Sequence, residues 1–319
     1  MSTRHLVDPE IDALLDQFPP LMFTRENLPE VRAMLAGMSA QMATMAPPFP
    51  NVEVAERMVP GPAGAPDVRV LVYHPKTVAP PFPALLWIHG GGYVIGSADA
   101  DDAKARAIVE AVGCVVVSVD YRLAPETPHP GPVEDCYAAL KWLHSNAAEL
   151  RVDPNRIAIG GESAGGSLAA GLGLLTRDRA EVPLVFQMLI YPMIDDRTVT
   201  TSDPHPYVGE FIWNPAANHF GWSALLGQEP GGEGVSPYAA AARATDLSGL
   251  PATFISVGSL DLFLEENMEY ARRLMRVGVP TELHIYPGAY HGFPMMADAT
   301  VSKAYERDRL TALRRALHG

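Results

Sequence analysis

The sequence predicts an α/β protein whose sheet is mostly parallel and covered by helices on both faces. From Val68 onward, short apolar runs rich in β-branched residues alternate with longer helical stretches, the order that crossover connections between parallel strands require. The runs are near-continuously apolar, as strands buried on both faces must be. Size agrees: 319 residues, 48% of them hydrophobic, suffice for one large core.

Strands are expected at 68–73, 84–89, 114–121, 156–160, 185–191, 252–257 and 281–286, with helices near 101–112, 132–149, 164–177, 262–277 and 298–317 between most of them. Two regions break the alternation, residues 1–50 and residues 195–236. They are read as an N-terminal cap segment and a cap insertion, leaving 51–194 and 237–319 as the core. In the first, Met34, Met38, Met42 and Met45 recur at helical spacing before Pro47-Pro48-Phe49-Pro50, which would stop a helix. These methionines are expected to pack onto the core; as flexible thioethers they would also suit an adaptable lid. In the second, Phe211, Trp213, Phe220 and Trp222 occupy a connection that is normally short.

A formal net charge of −13 argues against a nucleic-acid partner, since such binding rests on clustered Lys and Arg. The only two cysteines, Cys114 and Cys136, have neither metal-ligand nor redox spacing. No apolar run reaches the length of about 18 residues that a membrane span needs. The first ten residues carry acids where a secretory signal needs an apolar stretch, so no membrane association and a cytoplasmic location are expected.

The chemistry starts from Gly161-Glu162-Ser163-Ala164-Gly165, which follows an apolar strand and precedes a helix. Such a strand-turn-helix lifts a serine oxygen to the top of an α/β sheet, and the glycines let the turn close. By chance alone, about one chain in ten of this length would contain the pattern. Three further features raise it above chance. His89-Gly90-Gly91-Gly92 follows strand 84–89 directly, and successive glycines leave backbone N–H groups free to meet a developing oxyanion. Serine also needs a base, usually a histidine oriented by a carboxylate, and on this kind of sheet the chain order is Ser, acid, His. Of the downstream histidines, His219 falls in the insertion, His284 mid-strand and His318 at the end of the sequence, whereas His291 follows the last strand immediately. For the acid, Asp261 sits in the turn after strand 252–257, while Glu265 and Glu266 lie one turn into the next helix.

Together, His89-Gly90-Gly91-Gly92, Tyr121-Arg122-Leu123-Ala124-Pro125-Glu126, Gly161-Glu162-Ser163-Ala164-Gly165-Gly166 and His291-Gly292-Phe293 resemble the hormone-sensitive-lipase-like family of bacterial esterases. Within it, Leu86-Trp87-Ile88-His89, 130–137 and 244–251 are most similar to the heroin-esterase branch. The resemblance implies an α/β-hydrolase fold with an eight-stranded sheet and a helical cap. It implies a serine carboxylesterase acting on short, acetyl-like acyl esters through Ser163, His291 and Asp261, with no metal or organic cofactor, a small-molecule ester as partner and a homodimer as a candidate assembly. Carried over by position, the oxyanion donors are the N–H groups of Gly91, Gly92 and Ala164, with Gly90 a further candidate and His89 supporting the turn. Tyr93, Glu162, Phe211 and Trp213 are candidates for the substrate pocket. The acid motif departs from the family's Asp-Pro-Leu-Arg-Asp-Glu, reading Asp261-Leu262-Phe263-Leu264-Glu265-Glu266, and Glu162 stands where Asp is more usual. Lactonase, carbamate hydrolase and amidase activities remain open for the same triad. A non-catalytic small-molecule receptor on this fold is a further alternative, disfavoured because His291 is present.

Overall fold

The computed structural model describes residues 2–17, 22–45 and 48–319. Eight strands form one sheet: β1 Val52–Val59, β2 Val68–Pro75, β3 Phe82–Ile88, β4 Val115–Asp120, β5 Val152–Glu162, β6 Phe186–Ile190, β7 Ala252–Gly258 and β8 Thr281–Tyr286. Their spatial order is β1-β2-β4-β3-β5-β6-β7-β8. The first two pairings are antiparallel and every later one is parallel. The α-helices are α1 Pro9–Asp12, α2 Leu28–Met45, α3 Asp102–Val112, α4 Gly131–Ser145, α5 Ala164–Arg179, α6 Pro215–Leu226, α7 Leu264–Arg276 and α8 Thr300–His318. No described helix is long and apolar enough to cross a membrane.

Strand pleating explains the two-sided core. In β3, Leu86 and Ile88 join the apolar layer shared with α4, α5 and α7, while Leu85 and Trp87 join the layer under α3 and α8. All seven residues of β3 are buried, so both faces demand apolar side chains and the strand reads as a continuous hydrophobic run. The strand that periodicity alone does not reveal is β1. Its Glu53, Glu56, Arg57 and Met58 are exposed on the sheet edge, where half-solvated positions dilute the apolar signal.

The parallel order brings the C-terminal ends of β3, β5, β7 and β8 to one rim of the sheet. In open α/β sheets that rim is where ligands bind. Two segments lie over it. The insertion 195–236 contributes α6, and its root is held by Glu266 of α7, whose carboxylate accepts the N–H groups of Ile194 and Asp195 and the Thr198 hydroxyl. The N-terminal region contributes α2, pinned through Arg32 to the carbonyls of Val94 and Ala124 and to the Glu126 carboxylate. Anchoring at this one turn leaves the rest of α2 outside the core. Met34, Met38 and Met42 are 49%, 38% and 67% exposed, against the expectation that they pack inward. The Met45 side chain and Pro47, also part of that expectation, lie outside the described residues.

Leu86 has no accessible surface at the centre of the sheet, so Leu86→Ala is expected to lower unfolding free energy by about 2–5 kcal/mol. Urea denaturation checks this; a loss below about 1 kcal/mol would contradict the packing of this face.

Candidate active site

The rim site is built around Ser163, the one residue between the end of β5 and the start of α5. Its backbone has φ 55° and ψ −120°, a region that costs a non-glycine residue about 1–3 kcal/mol. The neighbouring chain is too close for any alternative. A β-carbon on Gly165 would fall 2.1 Å from the Ile88 carbonyl oxygen, and one on Gly161 2.5 Å from the same atom. The turn is held by the Ser163 N–H donating to the Ile190 carbonyl at 2.9 Å.

Three strand ends then deliver three side chains to one place. The His291 Nε2 lies 2.9 Å from Ser163 Oγ, and its Nδ1 lies 2.8 Å from Asp261 Oδ2. An ionised carboxylate only accepts, so Nδ1 carries the proton and Nε2 is left to accept from the serine hydroxyl. Asp261 is fixed in turn by the Phe263 N–H, which donates to Oδ1 at 3.0 Å. Tyr191 and Phe263 meet the imidazole edge-on, with ring centroids 4.7 and 5.1 Å away. These two aromatics escaped the sequence reading; the available signal was Tyr191 directly after β6 and Phe263 two residues past Asp261, both at the ligand-bearing rim.

The competing residues lie elsewhere. His219 pairs with Glu229, His284 with Glu282, and His318 bonds to the Val112 carbonyl. Glu265 is exposed, and Glu266 is occupied at the root of the insertion. Burial, with Asp195 nearby, pushes the Glu266 carboxyl well above its ordinary range.

The glycine turn lies against the serine: a β-carbon on Gly90 would stand 3.5 Å from Ser163 Cβ. Gly91 and Gly92 have φ of 118° and 57°, and a β-carbon on Gly91 would collide with the Ile95 carbonyl at 2.1 Å. Only glycine suits both positions. The N–H groups of Gly91, Gly92 and Ala164 have no acceptor among the described residues, while the Gly91 carbonyl takes two bonds, from Val94 and Ile95. His89 braces the turn from behind. Its Nδ1 donates to the Gly90 carbonyl at 2.8 Å and its ring stacks on Tyr121 at 4.2 Å, while the Tyr121 hydroxyl donates to the His89 carbonyl. Burial holds the His89 imidazole below its ordinary range, which keeps the ring neutral.

The four pocket candidates separate. Tyr93 has no accessible surface and its hydroxyl donates to the Met193 carbonyl; it is framework. Glu162 turns away from the serine to Lys104 at 2.5 Å and the Tyr305 hydroxyl at 3.3 Å. Successive residues of a strand point to opposite faces, which is why the neighbour of Ser163 faces α3 and α8. Neither is free to touch a substrate, and both pocket assignments are corrected accordingly. Phe211 is half-buried, edge-on to Tyr290 at 6.0 Å. Trp213 lies against Gly92, 6.4 Å between centroids from His291.

Comparison with known proteins agrees with this architecture. A family model described as α/β hydrolase fold matches residues 85–295. Carboxylesterase NlhH of Mycobacterium tuberculosis is 37% identical over 318 residues, spanning 98% of this chain and 97% of its own. Esterase LipI of the same organism is 32% identical over 98% of this chain and 96% of its own. Among solved structures, a bacterial heroin esterase superposes with a TM-score of 0.94 at 43% identity, covering 100% of both chains. Esterase LipW from Mycobacterium marinum gives 0.87 at 34%, covering 99% of this chain and 98% of that one. The chain belongs to the α/β-hydrolase family, in its hormone-sensitive-lipase-like division.

Proposed function

We propose that this chain is a serine carboxylesterase that cleaves short acyl esters with Ser163 as nucleophile, His291 as general base and Asp261 as the group that orients it. The carboxylesterase reading draws on relatives named esterases along nearly the whole chain. What carries the residue assignment is the continuous line of hydrogen bonds from Ser163 Oγ through both ring nitrogens of His291 to Asp261.

In this scheme Ser163 Oγ attacks the ester carbonyl as its proton passes to His291 Nε2. The imidazolium, stabilised by Asp261, returns that proton to the departing alkoxide. The acyl-enzyme is hydrolysed by a water that His291 activates in the same way. The tetrahedral oxygen is met by the free N–H groups of Gly91, Gly92 and Ala164, with the positive end of α5 directly behind. Ser163 and His291 are only 6% and 7% exposed, and a compact acyl group is the substrate this reading assigns to them.

Replacing Ser163 by Ala is expected to abolish hydrolysis of p-nitrophenyl acetate and labelling by an organophosphate; label appearing on another residue sinks the assignment. Asp261→Asn should cut turnover by about 10⁴, as a wrong imidazole tautomer does in other triads. A loss of that size from Glu265→Gln, with Asp261→Asn nearly silent, would move the role.

A further inference from the structure

We infer that Trp213 is the residue that sets the upper length of the acyl group, an inference that rests on the esterase reading of Ser163. It is carried by a strap of the insertion, residues 209–213, that crosses each part of the site in turn. The Gly209 N–H donates to the Leu260 carbonyl at 3.0 Å, beside Asp261. The Glu210 carboxylate accepts the hydroxyls of Ser2 and Thr3, tying the strap to the N-terminal region. Phe211 packs on Tyr290, and Ile212 Cγ2 comes within 3.8 Å of a β-carbon built on Gly292, so these two side chains flank His291 on either side in sequence. Trp213 then reaches the oxyanion turn, where a β-carbon on Gly92 would fall 2.0 Å from the indole ring.

The strap holds this path against its own preference. Ile212, a β-branched residue, sits at φ 59° while the Trp213 N–H closes on the Phe211 carbonyl at 2.7 Å. That is the rare, positive-φ γ-turn, whose cost persists only where surroundings over-determine it, as at binding sites. The indole is also locked: its Nε1 donates to Asn218 Oδ1 at 3.1 Å, and Phe23 backs it at 5.8 Å between ring centroids.

The acyl half is the one assigned to this plate, because it stays on Ser163 beside the glycine turn after the alcohol has left. The carbonyl oxygen of the acyl group is held at the glycine turn, whereas the alcohol leaves by way of His291 Nε2. Trp213 lies against Gly92, and its indole is tilted 42° to the His291 ring at 6.4 Å between centroids. In this assignment an acyl chain that lengthens from the held carbonyl meets a fixed indole that is 5% exposed.

The test measures kcat/KM for p-nitrophenyl acetate and p-nitrophenyl octanoate in the wild type, Trp213→Ala and Phe23→Ala, with Tm recorded for each. The octanoate-to-acetate ratio is expected to rise by about tenfold or more in Trp213→Ala, within the range that pocket methylenes command. Phe23→Ala, which frees the plate without removing it, should move the ratio the same way by less, and it stands in if Trp213→Ala does not fold. Ratios within about twofold of wild type in every variant that folds overturn the inference while leaving the esterase reading intact. A wild type that hydrolyses neither ester overturns both.

Discussion

Everything at the rim depends on how closely the ends of β3 and β5 approach one another. The carbonyl of Ile88 lies so near the turn at Ser163 that β-carbons on Gly161 and Gly165 would overlap it. The serine is thereby forced into a left-handed backbone that it would not choose. That single contact settles two things at once: the hydroxyl stands proud of the sheet, and the glycine turn leaving β3 is brought beside it. Ser163 and the proposed oxyanion donors are close because the same backbone contact places both.

Strain at such a turn persists only if the surroundings allow no relaxation. Behind Ser163, Glu162 is tied to Lys104 of α3 and Tyr305 of α8, and Lys104 also reaches Asp101, which accepts the indole N–H of Trp87 in β3. Half-buried charges of this sort add little net stability, yet loss of one partner strands the others. Their effect is to make β3, β5 and two helices move together. His89 and Tyr121 do the same for the glycine turn, with a stacked ring and two hydrogen bonds to backbone carbonyls.

The segments over the rim are held differently. Trp213, Trp222 and Leu225 of the 195–236 segment are buried in the same apolar core as the sheet, whereas α2 is tied down mainly through Leu28 and through Arg32 on the carbonyls of Val94 and Ala124. Much of the helical N-terminal segment is solvated, exposed methionines included. A segment with little buried apolar area opens at lower cost than the sheet beneath it. Within the covering region the solvated part of α2 is the lightly attached piece, while Trp213 and α6 are packed into the core.

The sequence by itself determined the strand order along the chain, the crossover helices, and the order of serine, acid and histidine. These features are written in local patterns: apolar runs bounded by turns, and glycines where no other residue closes the backbone. The edge strand β1 escaped because partial solvation erases periodicity. Tertiary structure alone decided which acidic side chains were free. Asp261 and Glu266 stand five positions apart in sequence, yet one turns to His291 and the other to the backbone of Ile194 and Asp195. It likewise decided that Glu162 faces Lys104 and that Trp213 rests on Gly92, since both contacts join segments about 60 to 120 residues apart. A side chain's partner depends on which strand ends converge in space, and no local pattern encodes that convergence.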